Sequence, residues 1–476
     1  MTELNAESTT RLAELIRNRT VSPVEAVEAY LGRIERLNPK LNAIVTIAPD
    51  VVEKGREAEA AVMRGDALGP LHGVPVTIKD TIETGGLRTT SGSAMRAQFI
   101  PAHDAPSVAR LRSAGALILG KTNAAEMAMD YTADNPVFGR TNNPYDLSLT
   151  PGGSSGGEAA AISSGMSPCG LGSDLAGSIR IPSHFCGIAG LKPSVERVPG
   201  AGQFPPAIGP YSIGAAIGPM ARSVNDLHLL FNALTTTEVF PQFADLGADI
   251  FEERRALRNA MSGHRVAWYT DDEVSPVTEE TRCAVETAAK ALCDAGLPIE
   301  ETRPPGVERG HDLWLKLFSR ASVVQLRNVY ASHEDKGGEF VRWRLATADD
   351  TDPASLDEYI GFWLERDRLR ARLIQWMQGI PLIVAPVGAT AAYQHDTHKV
   401  TVGEQTLSTF RAFSYSQTFN VFDLPVVTIP ASRTKAGLPI GIQIIGRPFE
   451  EEIVIAAAAI VEHALGGWQA PPIFYQ

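Results

Sequence analysis

The sequence predicts an α/β protein in which helices are layered around a mostly parallel or mixed sheet, all in one large domain. Three observations carry that expectation. Short β-branched and apolar runs alternate with segments of helical periodicity along the whole 476-residue chain. No internal repeat, low-complexity tract or clean linker divides it. An apolar share of 44% against 21% charged is that of an ordinary globular chain, long enough to bury a sizeable core.

The elements follow in order. Ser22-Pro23-Val24-Glu25 joins an N-cap serine, a proline at the first helical position and a capping-box glutamate. Val24, Val27, Leu31, Ile34 and Leu37 then recur at helical spacing, and Asn38-Pro39 is expected to stop the helix. Residues 53–64 form a second helix ended by Gly65, and 74–78 a buried strand. Residues 107–113 are helical and closed by Gly115, with a short strand over 116–119. From about 135 to 220 the composition shifts towards Gly, Ser, Pro and Asn, which ordinarily marks a linker. The apolar stretches 159–162 and 188–191 interrupt it, so it is expected to be ordered core threaded with tight turns. Beyond it come helices over 223–234, 278–294 (closed by Gly296), 365–377 and 451–465. Strands are expected over 265–268, 382–385, 426–429 and 440–445.

A net charge of −12 and the absence of a Lys/Arg-rich block argue against a nucleic-acid surface. The first residues lack the basic and apolar regions of a signal peptide, and no run approaches the roughly 18 apolar residues of a membrane span. Four cysteines without Cys-x-x-Cys spacing fit a reducing cytoplasm. Cys283 and Cys293 lie in an amphipathic pattern and are expected to be buried thiols. Cys169 and Cys186 flank the second serine segment, where packing is again the expectation.

The chemistry concentrates between 151 and 180. Pro151-Gly-Gly-Ser-Ser-Gly-Gly157 and Gly172-Ser-Asp-Leu-Ala-Gly-Ser-Ile-Arg180 carry serines on small-residue scaffolds. Glycine and alanine leave a hydroxyl approachable and backbone N–H groups free to hold an oxyanion. The first segment also matches G-x-S-x-G, with Ser155 as the nucleophile of an α/β-hydrolase elbow. That elbow must follow a strand, and the preceding residues 143–151 have the prolines and turn residues of a loop. A phosphate loop needs Gly-Lys-Ser/Thr, whereas Glu158 follows Gly157. A plain Gly/Ser turn is the remaining alternative for this segment. Lys79 ends the apolar run 74–78. Taken alone it reads as an exposed strand-end lysine, but burial there would lower its pKa and make it a base. His184 is expected to be packed at a helix start. His395 and His398 lack a matched third ligand for a metal.

Taken together, Lys79, the two serine segments and their spacing resemble the amidase signature family. The resemblance extends over most of the chain: 69–80 (GPLHGVPVTIKD), 120–126, 139–144, 151–193 and 438–449 (LPIGIQIIGRPF). It implies a three-layer α/β/α architecture around a twisted mixed sheet, an amidase domain over 1–476 with its catalytic core in 60–225, and a more variable, helical, substrate-side region over 240–400. It implies Ser178 as nucleophile, Ser154 as a bridging serine after a cis peptide bond, and Lys79 as general base. The N–H groups of Leu175, Ala176, Gly177 and Ser178 would form the oxyanion hole, with Ser155, Asp174 and Arg180 in support. Ala176 departs from the family's usual glycine and is expected to alter the hole slightly, since alanine disfavours positive φ.

The resemblance further implies hydrolysis of a C–N amide bond through an acyl-enzyme, without metal or organic cofactor. Ala128, Met129 and Asp130 fall where the family contacts substrate, and Phe204 lies in a Pro/Gly-rich loop (197–212) expected to form a pocket wall. Trp314, Leu317 and Phe318 are read equally as lining or as core. These residues favour a neutral, partly apolar small molecule: an aryl or alkyl amide, an anilide or a carbamate, with esters also accepted. No nucleic-acid or membrane partner is expected, and a homodimer is allowed. An amidotransferase-type glutaminase subunit working in a complex is the alternative, and a non-catalytic binding protein a weaker one.

Overall fold

Alternation along individual strands explains the layering. In the computed structural model, which describes residues 4–235, 261, 263–347 and 354–476, thirteen strands are assigned among the described residues. They are β1 (Ile44–Ile47), β2 (Pro75–Lys79), β3 (Leu117–Thr122), β4 (Cys169–Asp174), β5 (Ala189–Lys192), β6 (Ala216–Ala221), β7 (Val266–Trp268), β8 (Ile299–Glu301), β9 (Leu382–Pro386), β10 (Lys399–Val402), β11 (Gln405–Ser408), β12 (Val426–Arg433) and β13 (Pro439–Ile445). Successive side chains of a strand point to opposite faces. On β9, Leu382 and Val384 join one apolar core while Ile383 and Ala385 join another; on β13, Ile440, Ile442 and Ile444 join the first and Ile445 the second. The first core also takes in the helices Pro23–Leu41, Val224–Leu234, Glu279–Asp294 and Glu451–Leu465. The second takes in side chains from 313–318, 373–377 and 412–424. A sheet with a core on each face is the middle of three layers.

Eleven strands form that sheet in the order β1-β3-β2-β4-β6-β5-β12-β13-β9-β7-β8, and β10 and β11 form a separate hairpin. Of the two sheet types expected, it is the mixed one. β2 runs parallel to β3 and β4, and β7 parallel to β8 and β9, while the pairs from β4 through β6, β5, β12 and β13 to β9 are antiparallel.

Most expected elements appear within a few residues of their anticipated ends. Helix Val51–Arg64 stops at Gly65 with φ 78°, and Glu451–Leu465 has the expected bounds. Two expectations are corrected. Asn38-Pro39 does not stop its helix, which runs Pro23–Leu41 with Pro39 inside. Beyond the proline, Asn38 Oδ1 accepts the N–H groups of Ala43 and Ile44, both at 2.9 Å, and its Nδ2 donates to the Ile44 carbonyl, which secures the chain as it leaves the helix. Cys283 and Cys293 are exposed, because they fall on the outer face of Glu279–Asp294 while Ala284, Val285, Ala288 and Leu292 turn inward. The expected helical region over 240–400 is described from 261 onward, where Leu356–Trp376 begins nine residues ahead of its anticipated start; residues 236–260, 262 and 348–353 lie outside the described residues.

Candidate active site

The site lies at the carboxyl ends of the parallel strands β2 and β4, where open α/β sheets commonly leave a crevice. Lys79 is the last residue of β2 and Asp174 the last of β4, and pairing of Thr77 with Gly170 and Ile78 with Leu171 sets their register. Lys79 is fully buried. Its Nζ donates to Ser154 Oγ at 2.7 Å and to Ser173 Oγ at 3.0 Å. Burial pushes its pKa down to about 7, against the opposing pull of Asp174 and Glu158. Glu158, from the first turn of helix Gly156–Ser163, accepts hydrogen bonds from Thr77 and Thr122, and burial raises its carboxyl to about 7.

Ser154 follows a cis peptide bond from Gly153. A Cβ on Gly153 would run into the Thr132 carbonyl, so glycine is required by close backbone approach. Ser154, Ser173 and Ser178 line one cavity of about 500 Å³. Ser155 does not line it. Its hydroxyl is buried against Ser173, donating to that residue's carbonyl at 3.3 Å, and no strand precedes it between β3 and the helix it opens. The elbow arrangement is therefore absent at Ser155. Lys79 and Ser154 are linked directly, while among the described residues the Ser178 hydroxyl has no hydrogen-bond partner and faces the cavity.

The loop between β4 and helix Arg180–Cys186 is held from several sides. Asp174 and Arg180 form a buried ion pair, with Nη2–Oδ1 at 2.9 Å and Nε–Oδ2 at 3.0 Å. Burial alone would raise the Asp174 carboxyl, but the Arg180 guanidinium overrides it and holds the group well below the usual carboxylate range. Arg180 also donates to Asn420 Oδ1 at 2.5 Å and Gln443 Oε1 at 3.1 Å. The expected set of four loop donors is corrected at one position: the Gly177 N–H donates to Asp174 Oδ1 at 2.8 Å and is not open to a ligand. The N–H groups of Leu175, Ala176 and Ser178 have no protein partner among the described residues. Ala176 does not adopt positive φ; that conformation falls on Gly177, at 108°, so the departure from glycine is accommodated.

Ala128, Met129 and Asp130 line the cavity as expected from their place in the chain. Both Asp130 oxygens already accept hydrogen bonds, from the Tyr131 N–H at 2.7 Å and the Thr132 hydroxyl at 2.9 Å, and burial raises its pKa. Phe204 is a correction. Its ring lies under the Arg96 guanidinium, 3.9 Å from centroid to Cζ, and packs against the cluster of Met127, Leu326, Tyr330 and Val341, while its neighbours Gln203, Pro205 and Pro206 line the cavity. Trp314 and Phe318 line the cavity whereas Leu317 is core. Phe340, Trp343 and Phe410 complete an aromatic wall that sequence reading missed, since nothing local distinguishes a lining aromatic from a core one. Ser173 was legible only as part of the Gly172–Arg180 segment.

The other expected residues are structural. His184 is buried in the last turn of its helix, with Nδ1 accepting the Gly441 N–H at 2.6 Å and Nε2 donating to the Thr390 carbonyl at 3.1 Å; burial lowers its pKa to about 4. Cys169 and Cys186 are buried and do not line the cavity. No group of three or more His, Cys, Asp or Glu side chains is placed to hold a metal among the described residues, and no helix among them is long and apolar enough to cross a membrane.

Known proteins resemble this chain over nearly its whole length. The family model described as Amidase matches residues 25–455. Human fatty-acid amide hydrolase 2 is 30% identical over 98% of this chain and 90% of its own length. A glutamyl-tRNA(Gln) amidotransferase subunit of Geotalea daltonii is also 30% identical, over 95% of this chain and 96% of its own. A bacterial aryl acylamidase of the amidase signature family superposes with a TM-score of 0.82 at 28% identity, covering 96% of both chains. With the family model spanning nearly the whole sequence and two relatives matched almost end to end, this chain belongs to the amidase signature family, whose serine enzymes act on C–N bonds.

Proposed function

We propose that the protein is a stand-alone amidase that cleaves neutral amides with apolar or aromatic substituents, anilides among them, and carbamates, through an acyl-enzyme on Ser178. The observation that carries the reading is the buried Lys79 amine, 2.7 Å from Ser154 Oγ and behind the cavity that Ser154 and Ser178 both line. In this reading Lys79 starts neutral. The Ser178 proton passes to Ser154 Oγ as the Ser154 proton passes to Lys79 Nζ, and Ser178 Oγ bonds to the substrate carbonyl carbon. The oxyanion is met by N–H groups of the loop 175–178. The proton then returns from Lys79 through Ser154 to the leaving nitrogen as the C–N bond breaks, and water repeats the cycle on the acyl ester.

The substrate class rests on the wall. Trp314, Phe318, Phe340, Trp343, Phe410 and Met129 offer a large apolar area, with Lys316, Arg320 and Arg344 the cations of the same lining. Glutamine would need partners for its α-ammonium and carboxylate, and Asp130 is already engaged by its own loop. The amidotransferase reading, supported by that relative's equal identity to this chain, is the second one. The purified protein assayed alone against anilides, medium-chain amides, carbamates and glutamine separates the two. Turnover of an anilide or carbamate with negligible glutaminase activity is expected; glutaminase activity without anilide or carbamate turnover would overturn the proposal.

A further inference from the structure

The oxyanion loop is gripped by one short helix of the substrate-side region. Helix Gly310–Trp314 packs against helix Ser414–Val421. From it, Trp314 Nε1 donates to the Leu175 carbonyl at 2.9 Å. Three residues earlier, His311 Nδ1 lies 2.5 Å from Gln417 Oε1; Gln417 Nε2 donates to Tyr131 Oη at 2.7 Å, and Tyr131 Oη donates to the Ala176 carbonyl at 2.8 Å. Residues i and i+3 lie on the same side of a helix, so one face serves both consecutive carbonyls. A trans peptide is planar with its carbonyl and N–H opposed. Fixing the Leu175 carbonyl therefore fixes the Ala176 N–H, which has no protein partner among the described residues. Fixing the Ala176 carbonyl fixes the Gly177 N–H, which is the one already held by Asp174. The second peptide is thus tied at both ends, and among the described residues the first is tied only through Trp314.

We propose that Trp314 is a positioning residue for the reaction: its indole N–H, acting through the Leu175 carbonyl, aims the Ala176 N–H at the oxyanion, while its ring forms part of the substrate wall. The proposal rests on the reading of Ser178 as nucleophile and adds a donor-orienting role to a residue outside the serine-lysine machinery. A substrate filling the wall then presses on the same side chain that orients the loop, so wall occupancy and oxyanion geometry are coupled.

Two replacements test this: Trp314→Phe, and benzothienylalanine in place of Trp314, which keeps the bicyclic shape but lacks the N–H. Misplacing a catalytic group by about 1 Å costs on the order of a hundredfold, so kcat for a small amide and for its matching ester should both fall by roughly tenfold to a hundredfold. KM should stay within about threefold, because the lost interaction belongs to the transition state. Binding of a trifluoromethyl ketone, whose adduct with a serine is a tetrahedral oxyanion, should weaken by the same factor as kcat. The proposal is overturned if both replacements keep wild-type kcat, whether or not KM rises. Turnover by Ser178→Ala at the wild-type rate would instead remove the nucleophile reading beneath it.

Discussion

The floor and the aromatic wall of the cavity come from different halves of the chain and obey different packing rules. The floor, residues 79–178, is set on the strand ends of β2 and β4 by small residues: Gly153, Gly170 and Gly172 each admit a neighbour where a Cβ would collide. Lys79, Ser154 and Ser173 are buried there and joined by hydrogen bonds, while the Ser178 hydroxyl is left without a partner among the described residues. The far wall, from Trp314 to Phe410, is made of large rings on helices and loops, several of them partly exposed. The comparison teaches that reactivity here depends on exclusion, with no room for variation, whereas selectivity depends on bulk, which can be changed one side chain at a time.

The contrast breaks most sharply at the nucleophile. Ser178→Ala should reduce amide and ester turnover by at least ~10^4-fold, in line with triad deletions in other serine hydrolases, with the melting temperature unmoved. A fluorophosphonate probe should label Ser178 in the wild type; labelling at Ser155 would place the reactive hydroxyl outside the cavity and contradict the floor described above.

Lys79→Ala should cost roughly 10^2- to 10^4-fold on amides and less on esters, whose leaving group needs less protonation. In the wild type, kcat/KM should rise with pH through about 7, as the lysine loses its proton, and then level; the variant should lack that inflection. The stability sign follows from the same depressed value. Between about 7 and the ordinary 10.5 the unfolded lysine holds a proton that the folded one does not, so stability rises with pH across that window. Chemical denaturation of the wild type and Lys79→Met at several pH values measures the difference in slope; equal slopes would mean the amine is not desolvated by folding.

The wall should respond more gently and more selectively. Phe410→Ala should lower kcat/KM for an anilide by roughly tenfold to a hundredfold while leaving acetamide within a few-fold, since removed apolar contact is felt only by substrates that reach it. An equal loss on both substrates would show that Phe410, stacked on Tyr131 at 4.6 Å, acts on the floor as well. The smallest effect is expected at Ala176→Gly. Ala176 already has an ordinary φ, so the change should only cost about 0.5–1 kcal/mol of stability from added chain freedom and leave kcat within about threefold. A large gain in kcat would mean the Cβ of Ala176 obstructs the oxyanion loop.

Much of the floor was readable because its constraints are local. A β-branched run ending in lysine, and glycines beside serines, signal both conformation and chemistry within ten residues. Features decided by where a side chain points, rather than by residue type and spacing, were not. Pro39 sits inside its helix, with Asn38 fixing the exit through residues 43 and 44, and Phe204 turns from the cavity with Arg96 over its ring. Gly177 loses its free N–H to Asp174, a geometry that spacing cannot express. The exposed cysteines followed from which arc of their helix faced the sheet, and cysteine and alanine are too alike in an amphipathic pattern to set that arc.

The grip on Arg180 carries a consequence in time. Its guanidinium reaches across 240 positions to Asn420 and 263 to Gln443, so the loop carrying Ser178 is braced by residues far along the chain. Contacts of such sequence separation form late, after the loop-closure entropy has been met. A folding chain can bring Lys79, Ser154 and Ser178 together before β13 docks beside β12, yet the Ser178 loop lacks that brace until β13 is in place. Docking of β13 and ordering of the Ser178 loop are thereby joined in one folding step.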